Sequence, residues 1–191
     1  MGILKLLNPK TSKEFFSKMR VKSLPANIKY LLMVAIPTFI GYFLHYGIIG
    51  IEVGFDVGFI DSTRTILYSI DNSILLALNQ YIGIVLTVIL EAAIWSYAFK
   101  FIFKREISFD ESFTVLSYVA TPTLLAGIFM AFFWIGVAII PIAALYGVLL
   151  FYFAINARFF SKGKESKKNI LKGVGVFLVL SYALTFAVGL M

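Results

Sequence analysis

Glu91 is an ionisable side chain in a segment where charge is costly. It lies roughly 13 Å into the apolar segment 82–103, counted at 1.5 Å per residue, which is close to the middle of a ~30 Å hydrocarbon layer. A carboxyl group at that depth must be paired, protonated or hydrated. Two interpretations stay open: a proton or cation site, and a hydrogen-bonded contact between helices, with a Tyr or Ser hydroxyl as the partner.

His45 is the single histidine of the chain, and it lies near the end of the apolar segment 30–51. The rise per residue puts it within a few ångströms of the depth of Glu91, so the two side chains can meet and form a pH-sensitive pair. The competing interpretation is an interfacial histidine that touches lipid headgroups or the 52–81 loop.

Signatures of enzymes and metal sites are missing from the sequence. The chain has no cysteine and one histidine, and its few acids are scattered, so a metal cluster cannot be assembled from them. Neither the zinc-protease helix motif, nor the nucleophile elbow, nor a phosphate-binding glycine loop occurs. The sequence therefore predicts a protein that is not an enzyme and uses no metal or cofactor.

The composition is that of a membrane protein. Of 191 residues, 60% are hydrophobic and 14% are charged, against about 25% charged in soluble domains. The net charge of +7 comes from Lys and Arg residues beside apolar segments, not from a mixed basic and aromatic face, so nucleic-acid binding is not predicted.

Five apolar segments are long enough to cross a bilayer. The uncharged stretch from Ser112 to Ala157 would reach ~69 Å as one helix, so it must hold two spans, with a turn predicted between Trp134 and Pro141. The predicted fold is an all-α bundle of five transmembrane helices over residues 30–191, preceded by a basic leader at 1–29. The predicted spans are about 30–51, 82–103, 113–135, 138–157 and 169–190.

The connection between the first two spans holds apolar residues at helical spacing, from Ile60 to Leu78. This spacing predicts either an amphipathic helix that rests on the outer leaflet or an outward extension of the second span.

Basic residues set the orientation. All but one of the 17 Lys and Arg residues lie in segments that the five spans place on one side, and Arg64 alone lies on the other. The positive-inside rule then predicts a cytoplasmic N-terminus and an external C-terminus. The membrane would be the plasma membrane in a prokaryote and an endomembrane otherwise.

The leader is predicted to form an amphipathic interfacial helix. Thr11 with Glu14 fits a capping box, and Phe15, Phe16 and Met19 share one side of the helix. Such a helix lies in the interface with its apolar side down, attracted to anionic headgroups. The residues predicted to contact anionic lipid or a partner are Lys13, Lys18, Arg20, Lys22, Arg158, Lys162, Lys164, Lys167 and Lys168.

Three prolines, Pro37, Pro122 and Pro141, lie in or at the ends of predicted spans. Each removes a backbone donor and can kink its helix, which serves either packing or the lining of a cavity. A hydroxyl beside Pro122, such as that of Thr121, could cap the break.

Two stretches resemble the Yip1 domain family. They are Leu7-Asn8-Pro9-Lys10 followed by Phe15-Phe16, and the run from Lys104 to Phe109 into Ser117-Tyr118-Val119-Ala120-Thr121-Pro122. The resemblance implies five spans, a cytoplasmic N-terminus and a role in trafficking or membrane organisation. Eukaryotic members bind prenylated Rab-type GTPases, but their Asp-Leu-Tyr-Gly-Pro signature is absent here, so binding of a small GTPase is not carried over. Tyr118 to Pro122 carries over with no assigned role.

The sequence thus predicts a non-enzymatic scaffold whose basic cytoplasmic face binds anionic lipid, a membrane-protein partner or a second copy of the chain. The alternative is a small transporter or channel with Glu91 as a midplane proton or cation site. Monomer and dimer both stay open.

Overall fold

Long helices dominate the computed structural model, which describes residues 3–57, 60–158 and 166–189. The elements in chain order are α1 (Ile3–Leu6), α2 (Pro9–Lys18), α3 (Leu24–Leu44) with a π-helical turn (His45–Ile49), β1 (Ile51–Val57), β2 (Ile60–Ile66), α4 (Ile70–Phe103), α5 (Phe109–Ala126) with a 3-10 segment (Gly127–Ala131), α6 (Phe133–Arg158) and α7 (Ser166–Gly189).

Four helices in the described part of the chain are long and apolar enough to cross a membrane: Leu24–Ile49, Ile70–Phe101, Phe109–Ala131 and Phe133–Arg158. The predicted all-α membrane fold is confirmed. The fifth predicted span, 169–190, coincides with α7 up to Gly189, and its crossing of the bilayer stays a prediction.

The bundle is built around α5, which packs against α3, α4 and α6. Two of its small hydroxyl side chains are fully buried and donate to backbone carbonyls: Ser112 Oγ donates to Ala92 O at 2.9 Å, and Thr121 Oγ1 to Ser117 O at 3.0 Å. These bonds satisfy polar groups that cannot hydrogen-bond to water inside a bilayer. Next to this seam, Trp95 packs edge-on against the ring of Phe151.

The prolines are accommodated inside helices: Pro37 in α3, Pro122 in α5 and Pro141 in α6. Thr121 does not cap the break at Pro122, because its hydroxyl donates to Ser117 O, whereas the carbonyl freed by the proline is that of Tyr118. Pro122 is buried in the bundle and Pro141 is exposed on its outside.

Two connections differ from the prediction. The strands β1 and β2 pair in antiparallel fashion, with Ile51 opposite Ile66 and Val57 opposite Ile60, and α4 begins at Ile70. The second span is thus extended back to Ile70, as one of the two alternatives predicted, and the helical pattern fails before it, where β-branched residues are frequent.

The turn between the third and fourth spans lies at Phe132, before the predicted interval from Trp134 to Pro141. Phe132 has an extended backbone (φ −109, ψ 93), and α6 starts at the next residue. Gly136 packs against the preceding segment, where an added Cβ would lie 3.0 Å from Phe129 O. The glycine thus permits a sharper reversal than the charge pattern alone could indicate.

A close approach of two backbones joins α3 to the 3-10 segment. At Gly41 an added Cβ would lie 2.1 Å from Gly127 O and 3.0 Å from Ile128 Cα. Thr38 Oγ1 donates to Leu124 O at 2.7 Å beside this contact. Small residues let transmembrane helices approach in this way, so that backbone atoms touch.

Candidate functional site

The leader packs on the end of the bundle, against α5 and α6. Leu6 and Phe16 are completely buried there, and Met19 is 9% exposed. Tyr146 on α6 donates its hydroxyl to Leu6 O at 3.0 Å. Buried apolar side chains and a hydrogen bond therefore attach α1 and α2 to α6, a helix that is distant from them in sequence.

Asn8 caps the start of α2, not the predicted pair of Thr11 and Glu14. The Asn8 side chain accepts from Lys10 N at 3.0 Å, and Pro9 occupies the first turn, where a missing N–H costs nothing. The Thr11 hydroxyl instead donates to Lys5 O at 2.7 Å, which ties α2 back to α1. The predicted capping box was wrong because a better cap precedes it.

The predicted amphipathic pattern of α2 is confirmed, and the structure adds what its apolar side contacts. Phe16 faces the bundle, and Phe15 meets the Tyr118 ring edge-on with centroids 5.0 Å apart. Lys13 and Lys18 remain exposed. The apolar side is thus covered by protein, whereas the prediction placed it against lipid.

Lys22 makes internal contacts, although it was predicted to contact lipid or a partner. Its ammonium lies 4.3 Å from the ring centroid of Tyr30 and 4.8 Å from that of Tyr118. Its backbone N–H donates to Thr114 Oγ1 at 3.1 Å. Cation–π contacts of this kind are stronger where the cation is partly desolvated.

Arg158, also predicted to face lipid or a partner, joins three elements. Its Nε donates to Glu111 Oε1 on α5, and its Nη1 donates to Met19 O just after α2 at 2.7 Å. The two charged side chains are only 18% and 23% exposed. One guanidinium therefore fixes the end of α2 to α5 and α6.

Two polar residues of α3 that the sequence analysis missed, Asn27 and Tyr30, add hydrogen bonds to α5. Asn27 Nδ2 donates to Thr114 Oγ1 at 2.8 Å, and the hydroxyls of Tyr30 and Thr121 hydrogen-bond at 2.7 Å. Asn27 and Tyr30 lie three residues apart at the start of an apolar span, so they share a helix face. That spacing was the available indication that this face meets a polar partner.

The other predicted contact residues divide into two groups. Arg20, Lys167 and Lys168 are exposed, the last two in the first turn of α7. Lys162 and Lys164 lie outside the described residues.

Glu91 and His45 are not brought together by a hydrogen bond or ion pair in the part of the chain that the structure describes. The Glu91 carboxyl group lies beside the Ser181 hydroxyl on α7 and interacts with it. His45 stacks on Phe133, with ring centroids 5.6 Å apart, and its Nδ1 atom is buried with no hydrogen-bond partner among the described residues. Within the described ranges no group of three His, Asp or Glu side chains could hold a metal ion.

Long apolar helices around a polar seam, closed at one end by a basic leader, define a multi-pass all-α membrane protein. The sequence profile of the Yip1 domain matches residues 4–189, which is nearly the whole chain and includes most of the leader. The chain therefore belongs to the Yip1 domain family, as the resemblance in its motifs predicted. No curated protein and no solved structure gives a significant match.

Phe16→Ala is expected to loosen the leader. Removing a fully buried aromatic ring costs about 3 kcal/mol, because the cavity it leaves cannot collapse completely. Limited trypsin digestion of the protein in detergent should then cleave within α2 markedly faster than in the parent. Leu7→Ala, at a side chain that is 40% exposed, is the matched control, and equal rates in both variants would contradict the anchoring role of Phe16.

Proposed function

We propose that this chain is a non-enzymatic scaffold of the Yip1 family that binds anionic lipid through the basic face at its leader end. The supporting observation is the way in which the leader is held. Burial of Phe16 on α2, of Leu6 on α1 and of Met19 just after α2 attaches the leader through its apolar side chains, and Lys10 and Lys13 stay exposed. A fixed basic surface at the end of a bundle suits a negatively charged leaflet.

The charge distribution supports a cytoplasmic position for this face. The leader and the start of α7 carry exposed lysines, and Arg64 is the one basic residue that five spans would place on the other side. In this orientation the face lies against the leaflet that is rich in anionic lipid. A membrane-protein partner or a second copy would meet the same surface through an acidic patch of its own.

Replacing Lys162, Lys164, Lys167 and Lys168 together by Gln is expected to weaken anionic-lipid binding by about a hundredfold to a thousandfold, since each basic residue near a charged surface contributes about 1 kcal/mol. The measurement is retention of phosphatidylserine by the purified protein in mixed micelles with phosphatidylcholine. Replacing the same four residues by Arg keeps the charge and should keep the binding. Unchanged retention in the Gln variant would count against the proposal.

The position of Glu91 beside Ser181 favours a structural contact over a transport site. The Ser181 hydroxyl can donate to a carboxylate and equally to the carbonyl oxygen of an amide, so Glu91→Gln should preserve the contact between α4 and α7. Proteoliposomes with a membrane potential and a pH-sensitive dye are expected to show no proton flux with either the parent or this variant. Flux in the parent that disappears in Glu91→Gln would favour the transporter.

A further inference from the structure

A groove opens between α2 and the last turn of α6, on the leader side of the bundle. Its volume is about 470 Å³, in the range of small-ligand sites, and it is lined by Lys10, Lys13, Glu14, Ser17, Asn156 and Ala157. The residues from α2 recur at intervals of three and four, so they lie along one side of that helix. The buried Phe16 and Leu6 hold this side at a fixed distance from α6.

The groove offers positive charge that no acid in the described chain neutralises. Lys10 and Lys13 are exposed, and neither ammonium has an acidic oxygen within ion-pair distance among the described residues. Glu14 is the single acid in the lining, and Lys18 contacts it at 2.7 Å. The hydrogen bond from Lys18 holds the pKa of Glu14 below its usual range, so this pair is neutral as a whole.

Hydrogen-bonding groups complete the lining. The side-chain amide of Asn156 makes no hydrogen bond with the described residues and is available as a donor, whereas the Ser17 hydroxyl donates to Glu14 O at 2.8 Å and keeps a free acceptor. The carbonyls at the C-terminal end of α6 carry partial negative charge, so the attraction for an anion must come from Lys10 and Lys13. Two ammonium groups and an amide donor are therefore what a ligand meets.

The position of the groove favours a lipid headgroup over a free anion as its ligand. The groove lies where α6, a helix long enough to cross the membrane, reaches its end, and where α3 begins a few residues after α2. Lipid headgroups occupy that level of a bilayer. A free anion would have to compete there with phosphates already concentrated at the surface.

We propose that this groove binds the phosphate of an anionic lipid headgroup, with Lys10, Lys13 and Asn156 as its ligands. The inference rests on the proposed function, because it assigns one place on the basic face as a discrete site. A discrete site differs in a testable way from a general electrostatic attraction between the basic face and the membrane. Removing the two lysines of the groove should weaken lipid binding more than removing two basic residues elsewhere on the leader.

The test uses the full chain in detergent, with native mass spectrometry to count bound phosphatidic acid against phosphatidylcholine. Lys10→Gln with Lys13→Gln is expected to weaken phosphatidic acid binding about tenfold. Arg20→Gln with Lys29→Gln removes the same charge from exposed leader positions outside the groove, and should reduce binding far less. Asn156→Leu should also weaken binding without any change in net charge.

Each other outcome overturns a distinct statement. Equal losses in the two double variants would leave the basic face as a diffuse surface and refute the groove. A parent protein that binds phosphatidic acid no better than phosphatidylcholine would refute the proposed function itself. If inorganic phosphate competes as well as the lipid does, the ligand is a soluble phosphate and the assignment to lipid is wrong.

Discussion

Gly41→Ala is expected to lower the free energy of unfolding by about 2–3 kcal/mol, the upper part of the range for overpacked sites. The new Cβ would lie 2.1 Å from Gly127 O and 3.0 Å from both Gly127 C and Ile128 Cα. All three atoms belong to backbone, so no side chain can rotate away, and α3 must separate from the 3-10 segment. That separation also threatens the hydrogen bond from Thr38 to Leu124 O.

Gly175→Ala is the matched control for this substitution. It makes the same chemical change within a helix, but an added Cβ at Gly175 has no atom within 4 Å. Helix propensity alone would then favour alanine by about 1 kcal/mol. Reversible unfolding in bicelles, followed by tryptophan fluorescence, should show the two variants shifted in opposite directions. A Gly41→Ala protein as stable as the parent would contradict the close backbone contact.

Arg158→Met is expected to cost about 2 kcal/mol of stability. Removal leaves the Glu111 carboxylate and Met19 O without the guanidinium that pairs with them, in a site that is mostly buried. Losing one partner of a fully buried ion pair costs 3–5 kcal/mol, and solvent at these side chains, which are about a fifth exposed, reduces that figure. The same unfolding assay measures the loss, and the leader should become sensitive to trypsin in parallel.

Lys18→Met is the control for Arg158→Met, since it breaks the fully exposed pair with Glu14 and should leave stability nearly unchanged. In addition, Glu111→Gln combined with Arg158→Met should cost less than the sum of the two single changes, because the double variant has no unpaired carboxylate. Strict additivity would show that Arg158 acts through Met19 O alone.

Much of the fold was predictable because the thickness of the bilayer sets the length that each apolar helix must have. The uncharged stretch from Ser112 to Ala157 required two helices, and the structure has two. The pair of strands was missed because apolar residues at helical spacing were counted from Ile60 onward, through a segment in which β-branched residues are frequent. Periodicity alone did not distinguish the two patterns.

The contacts of the leader were less predictable for a physical reason. An amphipathic helix shows which side is apolar, and lipid and protein are equally apolar partners for it. The sequence around Phe16 does not indicate that Tyr146 and Arg158 contact the leader. Only the structure shows their hydrogen bonds to Leu6 O and Met19 O. The family motif gains a physical role in the same way, since the Tyr118 ring contacts both Phe15 and Lys22.

For Glu91 the sequence predicted the kind of partner but could not identify it. A Ser or Tyr hydroxyl was the partner in one of the two open interpretations, and the Ser181 hydroxyl of α7 lies beside Glu91; the choice between the two interpretations stays a prediction. The pair with His45 was wrong because equal depth does not place two side chains on facing helix surfaces. His45 instead faces Phe133 at the start of α6.

The hydrogen bond from Arg158 to Met19 O spans 139 residues of sequence, and this separation has a consequence for biosynthesis. The leader leaves the ribosome well before α6 does, and at about 5–20 residues per second it waits roughly 7 to 30 s for its binding surface. During that interval the side of α2 that carries Phe16 has no protein partner, and the nascent chain must hold it against lipid or a chaperone. The interfacial position that the sequence predicts for the leader is therefore expected early in biosynthesis, before the bundle that covers the leader has been made.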